Sequence, residues 1–289
     1  MTLGGMLSAV VLVLDQGTDW GWLSAYSFIC YFLIVILFGA FIKIEGKVPE
    51  PIVDLKFFKI PAFVNALLNN FVVFMGMMGG IFLIPVFAQT FLGYNATQSG
   101  YLFIPMAAMI MLAAPLGGFL TGKVESRYVI FASTLVASIG IFLFTRLDPK
   151  SSALDIMIPL AIMAFGLGFG MSQRTNIIAS VVPQSEIGVA SSVLALIRNI
   201  SGAFGIAIFA TILNNRITSN VLSINSFSRL NTHAPLEVQK YIGLVTLKAQ
   251  IDAYDYVFLV ASIIVFIGSF FALFLKLKKE RTDIKVHVE

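Results

Sequence analysis

The feature that most constrains this chain is a succession of apolar stretches, each about as long as a bilayer is thick, separated by short polar breaks. A helix crossing a hydrocarbon layer of about 30 Å needs about 20 mostly apolar residues. Eight candidate spans follow, at approximately 3–14, 24–42, 62–90, 99–120, 128–146, 156–176, 189–213 and 256–275. Only 12% of the 289 residues are charged, against the roughly 25% usual in a soluble domain. The expected fold is therefore an all-α membrane protein of about eight helices. The first stretch is too short to cross a bilayer as a complete helix unless residues precede Met1.

Loop charge predicts orientation, because Lys and Arg in short loops are retained on the cytoplasmic side. With the tail Lys276, Lys278, Lys279, Arg281 and Lys285 placed inside, the Lys43/Lys47/Lys56/Lys59 and Lys123/Arg127 loops also fall inside. Twelve of the 19 Lys and Arg, counting Arg174 at a helix end, are then cytoplasmic. This predicts a multi-pass protein of the inner (plasma) membrane with a cytoplasmic carboxy terminus. The polar stretch 214–254 would lie outside as a loop with one or two short interfacial helices. The net charge of +4 is spread over loops and tail, so it reads as topology and no nucleic-acid partner is expected.

Several function classes have no support. Cys30 is the one cysteine, which leaves no thiolate set for a disulfide, zinc or iron–sulfur centre. No paired carboxylates, zinc-spaced histidines or Ser/His/Asp set sits at membrane depth, so neither an enzyme nor a cofactor is expected, and no metal site. Asn95-Ala-Thr97 fits a glycosylation triplet, a pattern that chance produces often.

The fourth span ends in Pro115-Leu-Gly-Gly-Phe-Leu-Thr-Gly-Lys-Val-Glu-Ser-Arg127, with glycines suited to close helix contact and a tight turn. At this string the chain resembles the major facilitator superfamily, whose cytoplasmic Gly-x-x-x-(Asp/Gly)-(Arg/Lys)-x-Gly-(Arg/Lys) loop follows the second helix of each half. Gly118, Gly122, Lys123 and Arg127 match; Gly122 replaces the acidic residue and the second glycine is not evident. Pro85 to Gly100, Tyr101-Leu-Phe-Ile-Pro-Met, and Val182 to Ser192 leading into Ile197-Arg-Asn-Ile-Ser-Gly-Ala-Phe-Gly205 look like the fourteen-helix drug:proton antiporters of the EmrB/QacA type.

The resemblance covers essentially the whole chain. It implies two linker helices with a cytoplasmic linker over 1–60, then a second-half six-helix bundle over 61–289 with the outer loop 214–254 and the basic tail. It implies proton-coupled efflux of small lipophilic or cationic drugs. The bilayer, the substrate, protons, and an amino-terminal half or a second polypeptide would be the partners. A non-transporting remnant or a split half-transporter subunit is the alternative, because such transporters rock two repeated bundles around a midplane site and one bundle supplies half of it.

Within the spans, the candidate cavity residues are Asn65, Asn69, Phe74, Met78, Gln89, Tyr101, Met171, Gln173, Arg198 and Asn199, with Gly118, Gly122, Lys123 and Arg127 as the gating loop. Met and Phe offer an adaptable apolar lining, although helix packing explains most of them equally. Arg198 is the one basic residue placed well inside a span, where an unpaired charge costs at least about 2.5 kcal/mol. It should face a cavity, a carboxylate or a headgroup. No Asp or Glu falls clearly inside a span, so a proton-coupling carboxylate would lie elsewhere or at a span edge such as Asp15 or Asp255. Gly166, Gly168 and Gly170 are expected to reach more than one helix face and to loosen the packing.

Overall fold

Every regular element among the described residues is helical, because in lipid a helix alone satisfies its own backbone within one segment. The computed structural model describes residues 2–46, 55–227 and 235–274. The linker Pro49–Lys59 is thus described only from Leu55, as a short 3-10 turn, and His233, Arg229 and the basic tail from Lys276 lie outside the described residues.

The elements are α1 (Thr2–Trp20), α2 (Ala25–Glu45), α3 (Pro61–Phe91), α4 (Ala96–Tyr101), α5 (Ile104–Phe119), α6 (Ser126–Leu143), α7 (Ala153–Val181), α8 (Ile187–Phe227) and α9 (Pro235–Phe271). α4 and α5 form one span, Ala96–Phe119, and seven spans are long and apolar enough to cross a membrane. The remaining element, α1, is a longer helix than expected, but its apolar stretch runs only over Gly4–Val13.

Local chemistry sets the boundaries. Pro61 opens α3 at its first position, where its missing N–H is not needed. Asn95 caps α4: its side chain accepts from Gln98 N at 2.8 Å while Gln98 Oε1 accepts from Asn95 N at 3.0 Å. The Asn95 triplet thus has a structural use. Ser24 caps α2, and Ser152 with Asp155 caps α7. Gly122, at φ +79°, makes the turn between α5 and α6.

Antiparallel succession gives the bundle two ends. The end carrying the start of α3, the Lys123–Arg127 turn, the end of α7 and the start of α8 is here the loop end; the other, where α3 ends and α7 begins, is the hairpin end. α5 and α6 pack on α7, α3 packs on α8 and α9, and α6 packs on α9. The apolar core of the hairpin half is aromatic: Phe87, Phe144, Tyr254 and Phe258 are buried, with Phe144 and Phe258 centroids 5.2 Å apart. α1 and α2 form a separate antiparallel pair that touches the bundle through α1 and α8. α2 leaves Tyr26, Phe32 and Val35 more than two-thirds exposed, an apolar surface matched to lipid.

Two expectations are corrected. The stretch 214–254 does not form a loop with short helices: α8 is 41 residues and α9 37, roughly 60 and 55 Å long. Both outrun the bilayer at the hairpin end, where Asn220 donates to Ala249 O at 3.2 Å and Arg216 stacks over Tyr256 at 4.3 Å. Asp255, expected at a span edge, lies within α9 directly before the apolar run that starts at Tyr256.

The glycines of α7 tighten the packing instead of loosening it. A Cβ at Gly166 would meet Ala137 N and Ser133 O of α6 at 2.5 Å, and one at Gly168 would stand 3.0 Å from the Ile110 backbone of α5. Spaced two apart on a helix, they serve two neighbours at once. Gly117 against Phe169 O and Gly205 against Met75 O make similar backbone approaches.

Candidate functional site

Polar side chains buried in a spanning bundle must find partners or carry an unsatisfied group into low dielectric. At the loop half of this bundle they form two clusters. In the first, Asn69 of α3 is fully buried and donates through Nδ2 to Gly268 O of α9 at 2.8 Å. Its Oδ1 accepts from Arg174 Nε at 3.3 Å, and Arg174 Nη2 donates to Thr134 Oγ1 of α6 at 2.7 Å. Arg174 therefore ties together α3, α6 and α7, and through Asn69 also α9. Its Nη1 has no hydrogen-bond partner, and neither amide atom of the fully buried Asn70 has one.

The second cluster sits at the Lys123–Arg127 turn between α5 and α6. Gln173, also fully buried, donates through Nε2 to Gly117 O and Thr121 Oγ1, both at 2.8 Å, and accepts from Ser126 Oγ at 2.8 Å. One side chain thus fastens the end of α5 and the start of α6 to α7. Outside it, Lys123 Nζ lies 3.3 Å from the Phe119 ring centroid, and Arg127 pairs with Glu125 at 2.6 Å. Gly118 meets only Ser172, with Oγ 3.7 Å from where a Cβ would stand.

The fourteen candidates divide accordingly. Phe74 and Met78 lie on one face of α3 at i, i+4 spacing, turned to α8: the Arg198 guanidinium stacks 5.2 Å from the Phe74 ring, and Met78 Cγ is 3.4 Å from a Cβ at Gly202. Phe74, Met78 and Arg198 thus meet at the α3–α8 contact, while Asn69 is turned to α7 and α9. Gln173, through Gly117, Thr121 and Ser126, reaches the end of α5 and the turn that carry Gly118, Gly122, Lys123 and Arg127. Asn65 and Met171 are partly buried, while Gln89, Tyr101 and Asn199 are exposed and apart from the α3–α8 face. A cavity of about 200 Å³ opens near the hairpin end between Leu143, Arg146, Asp155 and Pro159, and none of the candidates lines it.

Arg174 is the residue sequence reasoning missed. Within the polar run Gln173-Arg-Thr-Asn176 it looked like a helix end, yet α7 continues to Val181 and Arg174 is 2% exposed. The glycine at 170, four residues earlier on the same face, was the available signal, for its missing Cβ leaves room for the guanidinium: Nη1 stands 2.8 Å from that position.

Against known proteins, residues 1–206 match the model of the Major Facilitator Superfamily. The chain belongs to that superfamily. Among its relatives, the multidrug transporter protein MdtP of Bacillus subtilis is 31% identical over 76% of this chain and 40% of its own length. The multidrug resistance protein Stp of Mycobacterium tuberculosis is 24% identical, covering 72% of this chain and 38% of its own. The colistin resistance protein EmrB of Acinetobacter baumannii is 26% identical over 78% of this chain and 43% of its own. The chain thus spans about two-fifths of the length of the curated relatives it matches. Its fold is similar to that of a bacterial homologue of the human lysosomal transporter Spinster, in an inward-facing and occupied conformation. The TM-score is 0.62 at 16% identity, covering 95% of this chain and 67% of the other.

Proposed function

We propose that this superfamily bundle works in proton-coupled efflux of small lipophilic drugs across the inner membrane, as the second of two bundles in a larger transporter. α1 and α2 are the linker pair, α3–α9 the second-half bundle, and the carboxy terminus is cytoplasmic. The observation that carries this reading is the coverage: relatives named for multidrug transport align along three-quarters of this chain but only two-fifths of themselves. Two bundles rocking around a midplane site need both halves, and the α3–α8 face of Phe74, Met78 and Arg198 is this chain's contribution. No covalent chemistry is required, so the protein is not an enzyme. The Gln173 fastening would hold the gating turn while α5 and α6 move with α7.

Efflux is tested by ethidium retention in cells stripped of their own exporters. The chain joined to the amino-terminal half of a relative such as MdtP should lower retention, and Arg198→Ala in that context should abolish most of the gain. Retention unchanged by the joined protein, despite its insertion in the membrane, would refute the efflux reading. A lowered retention by this chain expressed alone would refute the half-transporter reading.

A further inference from the structure

We infer that the cleft beside Arg146 and Asp155, at the hairpin end, holds the headgroup of a phospholipid that carries both a phosphate and a primary amine. The cleft is about 200 Å³ and is walled by Leu143, Leu147, Ile158 and Pro159. That is below the roughly 300 Å³ at which drug-sized ligands begin to be held, and it suits a small polar group. Two spans meet here, Ser126–Arg146 and Ala153–Val181. Arg146 closes one apolar run and Asp155 stands in the first turn of the next, so both charges lie where hydrocarbon gives way to headgroups.

The two charges line one cleft without pairing. Arg146 is exposed and makes no hydrogen bond or ion pair among the described residues. Asp155 uses one oxygen, Oδ2, which accepts from Ser152 N at 2.7 Å and from Ser152 Oγ at 2.9 Å, and its Oδ1 is left free. Pro159, four residues on, has no N–H to offer the Asp155 carbonyl, which adds a second open acceptor. The cleft thus presents a fork of donors beside a pair of acceptors. A guanidinium binds a phosphate through two parallel N–H donors, and a primary ammonium brings three N–H groups to the acceptors. A quaternary ammonium brings none, and a headgroup without an amine sets only negative charge beside Asp155. Ile158 is 55% exposed, and Ile162 follows it at i, i+4 spacing, which gives an acyl chain an apolar track below the headgroup. The inference needs only that this end of the bundle lies at a membrane surface, and it does not depend on efflux.

The test mixes the purified chain in non-ionic detergent with equal amounts of dioleoyl phosphatidylethanolamine, phosphatidylcholine and phosphatidylglycerol, and resolves the lipid adducts by native mass spectrometry. Phosphatidylethanolamine should exceed each of the others by roughly five-fold in the first adduct, the scale of an exposed ion pair. Arg146→Gln and Asp155→Asn should each remove most of that preference, and Arg146→Lys should keep part of it. Arg146 has no contact to lose, and Asp155→Asn keeps an oxygen for Ser152 N; the unfolding midpoint of each variant is measured alongside. If Asp155→Asn does not fold, Arg146→Gln decides. Equal adducts with the three lipids, or a preference unchanged in a folded Arg146→Gln, would overturn the site. A preference for phosphatidylglycerol would overturn it as well, because the cleft would then read phosphate alone.

Discussion

The two ends of this bundle are built from different physics. At the hairpin end Phe87, Phe144, Tyr254 and Phe258 pack ring against ring with few polar groups among them. At the loop end Asn69, Thr134, Gln173 and Arg174 hold five helices together by directed hydrogen bonds and leave some capacity unused. Apolar packing has no preferred partner, so it fixes the helices wherever they fit closely. Hydrogen bonds between helices break and re-form with other partners at modest cost, typically about 0.6 kcal/mol in a membrane. The contrast makes the hairpin end the stable frame and the loop end the place where the bundle can rearrange.

The largest expected effect lies where backbones touch. Gly117→Val and Gly205→Val would drive side-chain atoms into the carbonyls of Phe169 and Met75, costing about 3 kcal/mol or more. Size-exclusion chromatography should show loss of the monodisperse peak for both, whereas Gly118→Ala, whose methyl would meet Ser172 at ordinary contact distance, should elute as the parent does. A normal peak for Gly205→Val would break the idea of a rigid frame.

Next, Phe144→Ala should lower stability by about 3 kcal/mol by opening a cavity in the aromatic end, read as a fall in thermal midpoint. Asn69→Leu should cost about 1–3 kcal/mol, because it strands Arg174 Nε and Gly268 O. The sharper comparison is Arg174→Met, which removes the buried cation but strands Asn69 Oδ1 and Thr134 Oγ1, and should cost less than Phe144→Ala. If Arg174→Met destabilised the bundle as much as Phe144→Ala, the loop end would be frame as well.

Smaller again, Gln173→Leu removes the three hydrogen bonds at the gating turn. A cysteine at Val124 in a Cys30→Ser background should then react with a maleimide several-fold faster, with little change in thermal midpoint. The smallest effect is Asn95→Ala, which removes the cap of α4 and should cost about 1 kcal/mol.

Seven of the expected spans could be read because bilayer thickness dictates the length of an apolar run, whatever the tertiary contacts. The far ends of α8 and α9 could not, because Asn214, Asn215 and Arg216 end the apolar run without ending the helix; each helix is carried on by contact with the other. The site was legible where one side chain gives itself away, as with Arg198 amid apolar neighbours and Asn69 one turn from Asn65. It was not legible where burial depends on another helix: Arg174 is hidden by Gly170 and by α6, and Gln173 faces the turn because α5 ends beside it. Gln89, Tyr101 and Asn199 have the chemistry of cavity residues but sit on faces the bundle leaves open.

The central claim is that this chain supplies one bundle of a two-bundle, proton-coupled exporter. Its most direct test is ethidium movement into proteoliposomes under an imposed pH gradient, comparing this chain alone with this chain joined to the amino-terminal half of MdtP. Gradient-dependent ethidium movement with the joined protein, and none with the chain alone, is the predicted result. Equal movement in both preparations, or movement indifferent to the pH gradient, would contradict it.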